Sequence, residues 1–193
     1  MGCNPSNLGS ACEVPNMENK YKDARLPHPN RENYMNEFER EFFMLVNMMR
    51  DNPNSFMPYV RKYATSPLCS NPRACKLVEE KLKATAHLSA VELEKAAADA
   101  CFVNLTKNLE EDGGDIAGGA VEEYKSQTHR NMKEHEAVDA LKKRWQGKSL
   151  DIILEFLVCF YAVQANSDKT HALLSESLVA IGSAFIPHKK AGQ

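Results

Sequence analysis

An α+β fold, with helices arranged around a small sheet, is predicted by three observations. Apolar residues recur at helical spacing in four stretches, 36–52, 73–86, 89–105 and 150–162. A run of β-branched and apolar residues follows at 178–186, the pattern of a buried strand. The 193 residues, 43% of them hydrophobic, suffice for one domain with a real core and demand no second one. Helices packed in layers about the sheet are the natural assembly, and the chain divides into a tail over 1–35 and a domain over 36–190.

The tail reads as extended. Residues 1–33 carry Pro5, Pro15, Pro27 and Pro29, many Asn and Ser, and few large apolar side chains, so the segment is expected to follow a surface, its own domain's or a partner's. The pattern changes at Asn36, where Asn36-x-x-Glu39 is a capping-box signal and Phe38, Phe42, Leu45, Val46 and Met49 repeat at helical spacing until Asn52-Pro53 ends the helix. Residues 73–86 form a second amphipathic helix. Ser89-x-x-Glu92 reads as the cap of a third, with Leu93, Ala97, Ala100, Cys101, Asn104 and Leu105 inward. Its alanines let it lie close against a sheet or a neighbouring helix.

Gly113, Gly114, Gly118 and Gly119 then punctuate a loop. They lack the lysine and the helix of a phosphate loop, which argues against nucleotide binding. The last helix, Leu150 to Ala162, presents Leu150, Ile153, Leu154, Leu157, Val158 and Tyr161 on one wide face. It is too short, and too closely flanked by charge, to span a bilayer. In the strand Leu178–Ile186, Gly182 marks a place where another backbone approaches closely.

The net charge of −2 gives no general attraction for nucleic acid. The locally basic run Arg130, Lys133, Lys142, Lys143, Arg144 and Lys148 reads as a solvated helix face, and no nucleic-acid partner is expected. The six cysteines, at 3, 12, 69, 75, 101 and 159, have no paired metal-ligand spacing and no secretory apolar segment before them, so a reducing compartment is expected. Cys101 and Cys159 lie in apolar helical contexts, as small buried hydrophobes do. Met1-Gly2-Cys3-Asn4-Pro5-Ser6 fits the acceptor pattern for N-myristoylation at Gly2, with Cys3 placed for a palmitoyl chain. One myristoyl chain holds a membrane only marginally and no polybasic segment follows, so Cys3 has to supply the second anchor.

Other constellations carry less. Ser175, Ser177 and Ser183 lie near His171 in sequence, but no nucleophile elbow or acid completes a triad. His129 and His135 are six residues apart, on different faces of a helix, which weakens a metal site with Glu134 and Glu136. Trp145 suits a partner anchor or a core position equally.

One resemblance bears on function. In THALLSESLVAIGSAFI, residues 170–186, a histidine near a helix start is followed ten residues later by Ile-Gly and a strand. Together with EREFFMLVNMMRDNPNSFMPYV (39–60), HLSAVELEKAAADACFVNL (87–105), ACKLVEEKLKA (74–84) and DIILEFLVC (151–159), this resembles the CAP or SCP-like superfamily of cysteine-rich secretory, antigen 5 and pathogenesis-related proteins, in its protist and algal branch. The resemblance covers most of 38–190 and implies an α-β-α three-layer sandwich with a small central sheet.

The departures carry as much as the matches. The family implies two His and two Glu lining a cleft that holds a divalent metal, and only His171 carries over. The stretch EEDGGDIAGG (110–119) lacks the first family His, and the family's Gly-Glu-Asn motif is absent, its place falling near Ala140 with Glu136 as a displaced substitute. Cys159 and Phe160 stand where the family has an acidic pair. A divalent ion needs three or four converging donors, so no metal, no cofactor and no catalytic residue is expected, and His171 stands as a relic.

The first expectation is therefore a non-catalytic CAP-like scaffold that binds protein partners. It is held by Gly2 and Cys3 at the cytosolic face of a eukaryotic membrane, or built without an anchor into a flagellar, ciliary or cytoskeletal assembly. Lipid or sterol binding, which the family resemblance also implies, is the alternative. A metal-dependent hydrolase is the weakest reading.

Overall fold

A computed structural model describes residues 13–110, 148–164 and 169–186. The described chain is mostly helical, with one two-stranded parallel sheet, and is compatible with an α+β class.

The first described residues depart from the expected extended path. Helix α1, Met17–Asp23, forms there, and Tyr21 is fully buried. Its hydroxyl donates to the Pro27 carbonyl at 2.6 Å, while Arg40 pairs with Glu18. The prolines kept this segment from reading as structured. Two large side chains, Val14 and Tyr21, are enough to dock it on the domain's own core.

Helix α2, Glu37–Asp51, begins at the expected cap: the Asn36 side chain accepts from the Glu39 amide at 3.0 Å. The Glu39 carboxylate reaches one residue beyond the usual box and accepts from the Met35 amide at 2.7 Å. Almost every face of α2 is covered, with Phe43, Met44, Leu45, Val46 and Met49 all buried. Asn52 ends it, accepting from the Ser55 amide, and Pro53–Phe56 turns the chain into α3, Met57–Tyr63. Helix α4 is Ala74–Ala84 and α6 is Ser149–Val163, both where the apolar spacing put them. Helices α2, α3, α4 and α6 enclose the main core, which includes Val60, Tyr63, Val78, Leu82, Leu154 and Leu157. None of the described helices is long and apolar enough to cross a membrane.

The third helix starts later than its apparent cap. Strand β1, Glu92–Leu93, takes those residues, and α5 runs over Lys95–Glu110. Val91 and Leu93 are buried while Glu92 between them is exposed, the period-two alternation of a strand. β1 pairs in parallel with β2, Ala180–Ile181, in the register Glu92 with Ala180 and Leu93 with Ile181. The expected strand 178–186 is thus only two residues of ladder. Gly182 shows why it stops: a Cβ there would lie 2.3 Å from the Ala98 nitrogen and 2.4 Å from the Ala97 Cβ. The backbone after β2 presses onto the alanine face of α5, as the small residues on both sides predict. Beyond it, Phe185 stacks on Phe38 at 4.1 Å, and its amide donates to Glu39 at 2.8 Å.

Candidate functional site

Among the buried polar residues, Asn47, Arg50 and His171 belong to one centre and Glu155 to another. The first grows from the N-x-x-R-x-N-P segment at the end of α2. Asn47 clamps Val91 from both sides, its side chain donating to the Val91 carbonyl at 3.1 Å and accepting from the Val91 amide at 2.8 Å. Arg50, one turn on, is fully buried. Its guanidinium donates to the carbonyls of Ser89 (2.9 Å), Leu173 (3.0 Å), Ser175 (2.9 Å) and Leu178 (3.2 Å). No ion pair among the described residues includes it, and burial lowers its pKa from the usual arginine value. A planar fork of donors converts one side chain into a bracket for two distant backbone segments.

His171 belongs to the same centre. It caps the short 3-10 turn Ala172–Leu174, its Nδ1 accepting from the Leu173 amide at 3.1 Å, which places the ring proton on Nε2. Its own amide donates to the Tyr161 hydroxyl at 3.2 Å, and Phe160 meets the ring edge-on at 5.2 Å. The residue is only 1% exposed. An imidazole so enclosed holds a turn.

The second centre surrounds Glu155, 2% exposed on α6. Its Oε2 accepts from the Tyr63 hydroxyl at 2.9 Å and the Ser70 amide at 3.2 Å, and its Oε1 lies 3.5 Å from Cys159 Sγ. Burial first, and the carboxylate second, push the Tyr63 pKa up. Ser70 Oγ touches Cys159 Sγ at 3.6 Å. Beside this group the Cys69 and Cys75 sulfurs are 3.7 Å apart.

A groove of about 280 Å³ lies elsewhere, lined by Val14, Lys20, Met48, Asp51, Phe56 and Tyr59, among others. It falls just below the range of roughly 300–1,000 Å³ usual for small-molecule pockets, and two charged residues line it.

The sequence-derived candidates fare unevenly. His171 and Arg50 come together through the 171–178 segment, though Arg50 and Glu155 carried no expectation from sequence. Each had one signal, a charged residue within an otherwise apolar helical stretch. Ser175 and Ser177 pair their hydroxyls with each other at 2.8 Å, in a local turn. Lys148 starts α6, its amide donating to Asp151 and its ammonium pairing with Glu13. Gly2, Cys3, the four glycines of 113–119, His129, Glu134, His135, Glu136, Ala140, Trp145 and the rest of the basic run lie outside the described residues. Among the described residues no three His, Cys, Asp or Glu side chains converge as metal ligands. No family model, characterised protein or solved structure matches the chain.

Proposed function

We propose that the protein is a non-catalytic CAP-like scaffold, tethered to the cytosolic face of a membrane by acylation at Gly2 and Cys3 and binding protein partners. The observation that carries this reading is His171. The one residue that corresponds to the family's metal-binding set spends its Nδ1 on capping its own turn and is covered by Phe160 and Tyr161. Cys159 and Phe160, at the positions of the acidic pair, face Glu155 and His171. The polar centre of this domain works as an internal brace.

The layering of an α-β-α sandwich fits the same contacts. Asn47 of α2 grips Val91 beside β1, and Gly182 after β2 lies on Ala97 and Ala98 of α5, so the strand pair has a helix against each end. A scaffold of this kind presents its outer surfaces to other proteins, and a doubly acylated N-terminus keeps it at one membrane.

The test is the intact mass of the protein isolated from its native source, with identification of what co-purifies. A mass lacking Met1 and carrying myristoyl and palmitoyl groups, with stoichiometric protein partners, is the expected result. An unmodified chain recovered alone overturns the proposal, and saturable uptake of a labelled sterol by the folded domain transfers it to the lipid-binding class.

A further inference from the structure

The connection between α3 and α4 holds a pair of thiols in contact. Cys69 sits in an irregular turn, its amide donating to the Ser66 carbonyl at 3.1 Å, and is partly exposed. Cys75, the second residue of α4, is 2% exposed. Their sulfurs are 3.7 Å apart, and a side-chain rotation with a small shift of the turn brings them to the roughly 2.05 Å of a disulfide. The other described cysteines are differently placed. Cys101 Sγ lies 4.0 Å from the Gly182 carbonyl, and Cys159 Sγ faces Glu155 and Ser70.

We infer that Cys69 and Cys75 form a reversible oxidation site, at which a hydroperoxide converts the two thiols into one intramolecular disulfide. This goes beyond the scaffold reading and does not depend on it. In a reducing compartment such bonds are transient and serve redox sensing.

The two cysteines have unequal roles. Cys69 has the exposure a small oxidant needs; burial raises its thiol pKa, and hydrogen bonds from the Cys75 thiol and the Asn71 amide offset part of that rise. Burial holds Cys75 up at about 12, and Cys69 is raised as well, so both thiols rest protonated and the oxidant reacts with the small thiolate fraction of Cys69. Cys69 as thiolate attacks one oxygen of hydrogen peroxide. The S–O bond forms as the O–O bond breaks, and the departing hydroxide takes up a proton, leaving sulfenic acid and water. Cys75 then attacks that sulfur: the S–S bond forms, the S–O bond breaks, and hydroxide leaves with the Cys75 proton as a second water. Two electrons pass from the sulfurs to one peroxide. A dithiol reductant reverses the bond by exchange.

The disulfide fastens the turn that carries Ser70, and hence the amide held by Glu155, to the first turn of α4. The oxidised chain therefore gains rigidity between α4 and α6.

The test treats the full-length folded chain with hydrogen peroxide, quenches with acid, alkylates in denaturant, and reads intact mass and peptide map. The wild type is expected to lose about 2 Da, to show a single Cys69–Cys75 link, and to recover with dithiothreitol. Its Tm is expected to rise by roughly 5 °C on oxidation, a shift absent from Cys69→Ser and Cys75→Ser. Cys75→Ser stops at a dimedone-reactive sulfenic acid on Cys69, whereas Cys69→Ser gives neither product. A link through Cys3, Cys12, Cys101 or Cys159 overturns the inference. So does a folded wild type that keeps all its thiols while the urea-unfolded chain oxidises. The wild-type map and reversal decide the matter even where a serine variant folds poorly.

Discussion

Arg50 and Glu155 are both buried charges, yet the protein surrounds them differently. Arg50 has four backbone carbonyls about its guanidinium, drawn from Ser89 and from the 173–178 segment. Glu155 has one phenol, one amide and a thiol, drawn from Tyr63, Ser70 and Cys159. Neither relies on a formal counter-ion among these contacts. Oriented dipoles replace water, which is the condition for burying a charge at tolerable cost. The difference is in what each charge holds. Arg50 secures irregular backbone that has only a two-residue ladder of its own, while Glu155 secures a short connection already flanked by α3 and α4.

That difference predicts the order of the mutational effects, with Arg50→Met largest. Methionine roughly fills the space of the stem but leaves the carbonyls of Ser89, Leu173 and Leu178 without a donor, that of Leu173 in buried surroundings, while the Ser175 carbonyl keeps only the Leu178 amide at 3.4 Å. A loss of about 3–5 kcal/mol is expected from urea unfolding. Arg50→Lys recovers less than half, because an ammonium cannot match the planar fork. If Arg50→Met costs less than Glu155→Gln, the comparison is wrong.

The next effect concerns the same segment from its other side. Gly182→Ala puts a methyl group 2.3 Å from the Ala98 nitrogen, a contact with backbone and so not relieved by a rotamer change. About 2–3 kcal/mol of destabilisation is expected. Hydrogen exchange at the Glu94 amide, which donates to the Ile181 carbonyl at 2.8 Å, should quicken with it, since β2 must move for the methyl to fit. Unchanged exchange there would show that α5 yields instead.

These two residues also mark how far the sequence could be read. The helices were legible because Asn36, Asn52-Pro53 and the apolar repeats act locally, within one or two turns. The close approach at Gly182 was legible because a glycine in a strand and alanines in a helix permit it. The start of α5 was not, since the Ser89-x-x-Glu92 pattern competes with a strand whose partner lies almost ninety residues away. Likewise, the brace around Arg50 depends on one carbonyl 39 positions distant and three 123 to 128 positions distant, and carbonyls carry no sequence signature. His171 stood out in sequence as a relic of a site. Its capping bond and its enclosure by Phe160 become visible only when the turn and α6 are placed together.

Glu155→Gln is expected to cost less, about 1–2 kcal/mol. Glutamine with its carbonyl oxygen in the place of Oε2 keeps the acceptor for both the Tyr63 hydroxyl and the Ser70 amide, and only the exchange of Oε1 for an amino group must be absorbed beside Cys159. The Tyr63→Phe variant separates the two contacts. If the double variant costs no more than the larger single one, the phenol and carboxylate act as one unit, as a shared hydrogen bond requires.

The smallest effect is a gentle one spread over alkaline pH, and it distinguishes the centres by charge. Burial raises Cys75 from 9.0 to about 12 and Cys101 from 9.0 to about 11. It raises Tyr21 from 10.0 to about 12, and Tyr63 upward as well. Each of these groups gains its charge more readily in the unfolded chain, so above its ordinary pKa the unfolded state binds fewer protons and stability falls with pH. The loss begins near pH 9, steepens above pH 10, and ends for each group at its folded-state value. No group steepens it by more than about 1.4 kcal/mol per pH unit. Burial lowers the Arg50 pKa instead, a shift whose contribution to the slope has the opposite sign. Urea midpoints of the reduced protein from pH 8 to 11 check this, with Cys75→Ser and Cys101→Ser expected to flatten the first part of the decline. A decline that survives both substitutions unchanged would locate the alkaline sensitivity outside Cys75 and Cys101, in Cys69, which burial also raises, or in the tyrosines, Tyr63 beside Glu155 foremost.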